Sequence, residues 1–181
     1  HKSELDEKQS KYIGIIKTSA DNLLVIINDI LDISKIESGK FTIEEIPFNL
    51  HEKVSHVYES LRVKAEEKGL GFNVDYNQAL SENYIGDPVR ITQVLINLTG
   101  NAIKFTENGS VTIRVTPVED ASNGISISVV DTGIGIAQDK IQHIFESFTQ
   151  ESADTTRKFG GTGLGLAISK QLIEFMNGQL I

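Results

Sequence analysis

The sequence contains no cysteine and no tryptophan, and only three of its 181 residues are proline. The absence of cysteine excludes disulfide bonds and thiolate metal sites. No apolar run approaches the length of a membrane span, and residues 1–8 lack the pattern of a signal peptide. The net charge of -8 argues against nucleic acid as a partner, because a phosphate backbone requires a basic face. The composition therefore predicts a soluble, cytoplasmic piece with no contact to nucleic acid or membrane, and membrane anchoring elsewhere in a longer parent chain stays open.

The first segment, residues 6–37, has the periodicity of one long helix. Small or apolar residues recur at alternating spacings of four and three, the seam pattern of a coiled coil. These residues are Ile16, Ala20, Leu23, Ile27, Ile30 and Ser34. Because further apolar positions widen this stripe, a helical bundle with a partner helix is expected. The alternative, in which the stripe packs on the following domain, stays open. Ser38 and Gly39 supply the stop signal.

The rest of the chain alternates between strand and helix patterns. The predicted elements are a strand at 41–45, a helix at 50–68, a strand at 70–76, a turn at 77–83, a helix at 88–105, strands at 110–116 and 125–130, a helix at 141–145, a polar loop at 149–159 and a last helix at 163–176. Asp87 and Pro88 suit the N-cap and first turn of the central helix. This order predicts an α+β sandwich in which helices cover one face of one sheet.

The central helix at 88–105 combines a core face with an unusual polar stripe. Its predicted core positions are Ile91, Val94, Leu95, Leu98, Ala102 and Phe105. The polar stripe consists of Arg90, Asn97, Asn101 and Lys104. Asparagine is a poor residue for a helix interior, because its side chain competes for backbone groups. The stripe is either a solvated surface or a site where Asn101 offers its carbonyl oxygen to Mg²⁺ and Lys104 meets phosphate.

Two glycine-containing stretches lie in the C-terminal half of the chain. Asp131 and the T-G-I-G-I that follows it end an apolar strand, so its carboxylate could accept a hydrogen bond from an exocyclic amine such as that of adenine. An ordinary turn is the alternative. The second stretch, G-T-G-L-G at 161–165, precedes a helix, and amides at a helix start bind anions. Its spacing excludes a Walker loop and a dinucleotide fingerprint. The absence of H-R-D and D-F-G from the sequence excludes a protein-kinase loop.

Four motifs occur in one order: N-L-T-G-N-A-I-K-F-T at 97–106, D-T-G-I-G-I at 131–136, I-F-E-S-F at 144–148 and G-G-T-G-L-G-L-A-I at 160–168. They resemble the N, G1, F and G2 boxes of the ATP-binding domain of sensor histidine kinases, within the GHKL superfamily. N-D-I-L-D-I-S-K-I-E-S-G at 28–39 resembles the end of the second dimerisation helix of hybrid-type kinases. The resemblance implies a two-layer α/β sandwich of the histidine-kinase ATPase (Bergerat) type, preceded by a long helix of a dimerisation four-helix bundle.

The resemblance also implies a division of the chain into two domains and a set of ATP-binding residues. Residues 1–39 would be the C-terminal part of the dimerisation and phosphoacceptor domain, and residues 40–181 a C-terminally truncated ATP-binding catalytic domain. Asn101 would be the Mg²⁺ ligand, Asn97 and Lys104 the catalytic residues, and residues 137–160 the ATP lid. The implied ATP-binding residues are Asn97, Asn101, Lys104, Phe105, Asp131, Gly133, Gly135, Ile136, Phe148, Lys158, Gly161, Thr162, Gly163, Leu164, Gly165 and Leu166. None of the four histidines lies in an acceptor motif.

The implied activity is that of a protein-histidine kinase with ATP and Mg²⁺ as cofactors. It would transfer the γ-phosphoryl group to a histidine on the first dimerisation helix, for relay to an aspartate of a response-regulator receiver domain. The N-terminal helix would form a homodimer. Relatives that hydrolyse ATP resemble this chain but carry glutamate at the position of Asn97, and an amide cannot act as that base. A regulatory module that pairs with another kinase, and an ATP-gated dimerisation machine of the gyrase type, are the alternatives.

Overall fold

The computed structural model describes residues 6–118, 124–141, 143–146 and 163–181. These residues form four helices and five strands. In chain order they are α1 (Glu7–Glu37), β1 (Ile46–Asn49), α2 (Leu50–Glu67), β2 (Gly71–Tyr76), β3 (Asn83–Gly86), α3 (Pro88–Phe105), β4 (Ser110–Pro117), β5 (Ile125–Asp131) and α4 (Gly165–Phe175). The chain divides into two compact units between Thr42 and Ile43. The α+β class that the sequence predicts is therefore confirmed.

The first unit consists mainly of α1, whose ends are where the sequence predicts them. Asp6 caps the helix with a reciprocal pair of hydrogen bonds to Gln9, of 2.7 and 3.0 Å, and Gly39 ends it with a φ of 65°. Ten large apolar side chains of α1 are each at least 44% exposed: Tyr12, Ile13, Ile15, Ile16, Leu23, Leu24, Val25, Ile27, Ile30 and Leu31. No helix within the described ranges has the length and hydropathy of a membrane span.

The second unit contains a mixed three-stranded sheet in the order β2-β4-β5. β2 runs parallel to β4, and β4 runs antiparallel to β5. Val111, Ile113 and Val115 alternate along β4 and are fully buried, whereas Arg114 on the opposite face is exposed. The helices α2 and α3 contact each other and the strands of this sheet. They therefore cover the buried face of the sheet, as the sequence predicts.

The prediction of a single sheet is wrong, because β1 and β3 form a second, antiparallel sheet. The strand predicted at 41–45 begins only at Ile46, and β3 begins at the last residue of the turn predicted at 77–83 and continues through residues for which the sequence predicts no element. Both strands have four residues, and each finds its hydrogen-bonding partner 34 to 40 positions away. Such short segments carry too little periodicity to be recognised before their partners are known. The helix predicted at 141–145 is a series of turns in its described residues.

The buried face of α3 differs from the predicted one in a way that matters for the site. Thr99 and Ile103 are buried, whereas Ile91, Leu98 and Phe105 are only half-buried. The buried arc is thus shifted by roughly 60° away from the polar stripe. The cause is that α3 contacts α2, α4, β4 and β5, and not the sheet alone. A half-buried apolar strip consequently separates the core from the polar stripe.

The start of α3 is held by Asp87, as predicted. Its Oδ1 accepts hydrogen bonds from the amides of Val89 and Arg90 at 3.1 and 3.0 Å, and its Oδ2 accepts one from the amide of Glu44 at 3.2 Å. The carboxylate is only 4% exposed. Three amide donors compensate the burial of its charge, and they fix the helix start that sets the position of the polar stripe.

Candidate functional site

The two asparagines of the polar stripe lie part-buried and in contact with each other. Asn101 Nδ2 donates to Asn97 Oδ1 at 3.4 Å, and Asn97 Nδ2 donates to Ser169 Oγ of α4 at 2.9 Å. Because Asn101 points its amino group at Asn97, its carbonyl oxygen faces the other way and can accept from a ligand. The described residues contain no group of three or more His, Cys, Asp or Glu side chains that could hold a metal. The protein ligand available to a cation here is therefore the amide oxygen of Asn101. A single such ligand fits Mg²⁺, which takes few protein ligands when phosphate oxygens also bind it.

Lys104 lies one turn further along the stripe, beside Phe105. Its Nζ is 4.6 Å from the centroid of the Phe105 ring. Partial burial lowers the pKa of Lys104 from its ordinary value, because the charged form is desolvated. A part-buried ammonium beside an aromatic ring interacts more strongly with an anion than a fully solvated ammonium does.

Asp131 is the last residue of β5 and begins a loop that closes onto the end of α3. Its Oδ1 accepts a hydrogen bond from the amide of Gly133 at 2.8 Å, and the residue is exposed, so Oδ2 can accept a further hydrogen bond. The amide of Ile134 donates to the carbonyl of Phe105 at 3.3 Å. A Cβ atom on Gly133 would lie 2.6 Å from that carbonyl oxygen. Only glycine therefore permits this loop to approach α3.

Two other predicted site residues of this loop, Gly135 and Ile136, have open space around them. Gly135 has a φ of 68°, and a Cβ atom there would meet nothing within 4 Å. Ile136 is exposed, as is Ile134. These two isoleucines give the loop that begins at Asp131 exposed apolar surface, which suits a flat apolar ligand with one hydrogen-bond donor.

The glycine-rich segment reaches α3 at Asn97. Gly163 has a φ of 71°, Leu164 is buried and Leu166 is half-buried. Gly165 begins α4, and a Cβ atom there would collide with Asn97 Oδ1. The other three helices begin at the side-chain caps Asp6, Asn49 and Asp87. Leu164 stands at the N-cap of α4, and its side chain has no acceptor for the first amides.

Four predicted site residues, Phe148, Lys158, Gly161 and Thr162, lie outside the described residues. The described part of the F motif ends at Glu146. There the Phe145 ring centroid is 5.5 Å from Lys170 Nζ of α4. The described site residues thus come from α3, the β5 loop and the start of α4. The β5 loop contacts the C-terminal end of α3 at Phe105, and the start of α4 contacts the middle of α3 at Asn97.

The sequence does not predict a role for Lys68 and Ser169, whose hydrogen bonds hold residues of α3 in place. Lys68 follows α2, and its Nζ donates to the carbonyls of Ile103 and Lys104 at 2.8 Å each and of Thr106 at 3.2 Å. Ser169 is 2% exposed and accepts from Asn97 across 72 positions. A lysine after a helix and a serine inside one carry no local signal, because the partners are remote in sequence.

Lys68→Met is expected to lower the free energy of unfolding by about 1–2 kcal/mol, because three carbonyls at the end of α3 lose their shared donor. Methionine retains the apolar stem, so packing along the side chain is preserved. Urea unfolding with a matched Lys64→Met control measures the effect. Lys64 lies in the last turn of the same helix, α2. Equal losses in the two variants would contradict this capping role for Lys68.

Comparison with known proteins identifies the family to which these elements belong. The model of the HATPase_c family, described as histidine kinase-, DNA gyrase B- and HSP90-like ATPase, matches residues 86–181. The HisKA model, the His Kinase A (phospho-acceptor) domain, matches residues 1–39. The two matches thus cover both the long helix and the domain that carries the site.

Individual relatives agree. The signal transduction histidine-protein kinase BarA of Escherichia coli K12 is 41% identical over 99% of this chain, which spans 20% of that relative's length. Full-length ShkA in complex with AMPPNP matches with a TM-score of 0.79 and 31% identity, over 97% of this chain and 35% of that one. Histidine kinase ThkA in complex with response regulator protein TrrA matches with a TM-score of 0.66 and 29% identity, over 97% of this chain and 47% of that one. The chain therefore belongs to the histidine kinase family, with a catalytic domain of the GHKL type and a HisKA segment before it.

Proposed function

We propose that this chain is the ATP-binding catalytic portion of a two-component sensor histidine kinase. The observation that carries the proposal is the convergence of two separate segments on α3. The β5 loop closes onto the Phe105 carbonyl, and the start of α4 closes onto the Asn97 amide. The helix α3 thereby has an acceptor with apolar surface near its C-terminal end and, at its middle, helix amides of α4 that lack a side-chain cap. Asn97, Asn101 and Lys104 lie along the same stretch of α3. This combination suits a nucleotide triphosphate with a divalent metal.

Each residue has a role that its surroundings support. Asp131 Oδ2 accepts the adenine amino group, and Phe105 lies along the base. Lys104 contacts phosphate, and the amides of the glycine-rich segment hold the remaining phosphate oxygens. Asn101 presents its carbonyl oxygen to Mg²⁺, with Asn97 beside it. When bound, Mg²⁺ supplies charge neutralisation for the phosphates.

The proposed reaction is transfer of the ATP γ-phosphoryl group to a protein histidine and then to an aspartate of a response-regulator receiver domain. Phosphoryl transfer depends mainly on positioning and charge neutralisation, which the described residues can provide. Asn97 cannot accept a proton from water at neutral pH, so hydrolysis lacks its base. The chain is therefore suited to hold ATP for a histidine acceptor, and we assign none of its four histidines as that acceptor.

We further propose the domain division that the motifs indicate: residues 1–39 as part of the dimerisation and phosphoacceptor domain and residues 40–181 as the catalytic domain. The exposed apolar side chains of α1 support homodimerisation through this helix, since a single helix with such a face requires a partner. The complex of ThkA with a response regulator supports a receiver domain as the second partner.

The lowered pKa of Lys104 predicts a pH dependence of ATP affinity. Phosphate binds the protonated amine, so the contribution of Lys104 is complete below its pKa and is lost as the pH rises through it. This loss should begin at lower pH than for an ordinary lysine. Titrations across the alkaline range should show falling affinity for the unmodified chain and a flatter profile for Lys104→Arg, whose side chain stays charged. Parallel profiles would exclude Lys104 as the titrating group.

Calorimetric titration of ATP, with Mg²⁺ and with a chelator, tests the proposed function. The chain should bind ATP more tightly with Mg²⁺, and Asn101→Ala should remove most of that gain. Asn73→Ala, which removes an exposed amide from β2, is the matched control and should retain it. A folded chain that binds no ATP would refute the proposal and favour a regulatory module. Steady ATP hydrolysis would instead favour the gyrase type.

A further inference from the structure

Two residues near the start of α4 contact the same side chain of α3. Gly165 and Ser169 lie one helical turn apart on the same face of α4, and both face Asn97. Gly165 admits the Asn97 amide because it has no Cβ atom, and Ser169 Oγ accepts from Asn97 Nδ2 at 2.9 Å. Ser169 is only 2% exposed, so water has little access to take its place.

This contact holds the Asn97 side chain in place between α4 and Asn101. Asn97 Nδ2 donates to Ser169 Oγ at 2.9 Å, and Asn101 Nδ2 donates to Asn97 Oδ1 at 3.4 Å. A serine hydroxyl can donate as well as accept, so it anchors the Asn97 amide in either orientation. Without the hydroxyl, the Asn97 amide would lose this anchor and could leave its place beside Asn101. Asn101 would then lose the partner of its amino group, and its carbonyl oxygen would no longer be held in the position proposed for Mg²⁺.

From this arrangement we propose that Ser169 is a positioning residue that holds the Asn97 side chain, and thereby Asn101, in place for Mg²⁺. Ser169 touches neither nucleotide nor metal in this role, and it acts through the Ser169–Asn97–Asn101 hydrogen bonds. Groups that orient metal ligands commonly influence metal affinity about 10- to 100-fold. The inference rests on the proposed function, because it concerns the metal of that same site.

The alternative is that Ser169 only packs α4 against α3. The two roles predict different responses to Mg²⁺. A packing defect would weaken ATP binding to a similar extent with and without the metal. A loss of positioning at Asn101 would weaken binding with Mg²⁺ and leave binding in a chelator nearly unchanged. The informative quantity is therefore the ratio of the two dissociation constants, and not either value alone.

The experiment measures ATP affinity of the 181-residue chain in Mg²⁺ and in EDTA for Ser169→Ala, Ser169→Thr and a control. In Ser169→Ala the gain from Mg²⁺ should fall about tenfold, while affinity in EDTA stays within about twofold. Ser169→Thr keeps the hydroxyl and should restore the gain. The control is Thr99→Val, which removes another buried hydroxyl of this region; Thr99 Oγ1 has no hydrogen-bond partner within the described chain. Its gain from Mg²⁺ should be unchanged.

The outcomes separate the two proposals. An unchanged gain from Mg²⁺ in Ser169→Ala would overturn the positioning role and leave the nucleotide site standing. An equal loss in Mg²⁺ and in EDTA would also overturn it, in favour of packing. If the unmodified chain bound no ATP in either condition, the proposed function would fail and the positioning role would fail with it. Thermal unfolding of every variant establishes that the comparison concerns folded protein.

Discussion

Replacing Asp131 by asparagine is expected to weaken ATP binding by about 10- to 150-fold while the domain stays folded. The two carboxylate oxygens have different roles. Oδ1 accepts a hydrogen bond from the amide of Gly133 at 2.8 Å, and Oδ2 is the proposed acceptor for adenine. Asparagine can keep that bond through its own Oδ1, so the loop should retain its shape. At the place of Oδ2, however, it presents an amino group to the adenine amine. Two donors then face each other, and a charge-assisted hydrogen bond is lost.

Calorimetry with ATP and thermal unfolding of the same variant test this result. Asp75→Asn is the matched control, since it also removes one exposed carboxylate from the edge of the same sheet. Asp75 pairs with Arg114 at 2.9 Å on the surface, and such a pair contributes little to stability. ATP affinity of the control should be unchanged. Equal affinity in the Asp131 variant and the unmodified chain would remove Asp131 from the site.

Gly133→Ala is expected to have a still larger effect, with ATP affinity reduced by about 100-fold or more and the unfolding free energy lowered by about 1–3 kcal/mol. A Cβ atom on Gly133 would lie 2.6 Å from the Phe105 carbonyl oxygen and 2.8 Å from Asp131 Oδ1. The carbonyl belongs to the backbone of α3 and cannot rotate away. The loop must therefore move, which breaks the bond from Ile134 to Phe105 and displaces Asp131 together with its apolar surroundings.

Gly100→Ala makes the same chemical change at a position with open space. Gly100 lies inside α3, and a Cβ atom there would meet nothing within 4 Å. Alanine favours the helix over glycine, so this variant should gain up to about 1 kcal/mol in stability. Its ATP affinity should change by less than about twofold, well below the loss expected for Gly133→Ala. If both variants bound ATP like the unmodified chain, the close approach of the loop to α3 would have no functional role.

The sequence predicted most reliably those features whose physical cause is local. The ends of α1, α2 and α3 follow from Asp6, Asn49 and Asp87 at their starts and from Gly39 and Gly69 after the first two. Caps and glycine stops act within a few residues, so they are readable without a tertiary structure. The order of the four motifs likewise needs no coordinates, and it led to the histidine kinase family that the comparisons show.

Features that depend on remote partners were missed or misplaced. β1 and β3 have no strong pattern of their own and exist because they pair with each other. The predicted core face of α3 lies too near its polar stripe, because Thr99 and Ile103 are buried by tertiary packing that one helix cannot reveal. The helix predicted at 141–145 had a suitable short pattern but is a series of turns in its described residues. Too few residues were available there for periodicity to decide.

By itself, the sequence determined the fold class, the family and the identity of the polar groups on α3, since these follow from residue types at fixed spacings. Only the tertiary structure decided how those groups are oriented. Lys68 holds the end of α3 from 35 or more positions away, and Ser169 holds Asn97 from 72 positions away. The direction of an amide or the position of a carbonyl is set by the nearest hydrogen-bonding atom in space. Distance along the chain does not specify that atom.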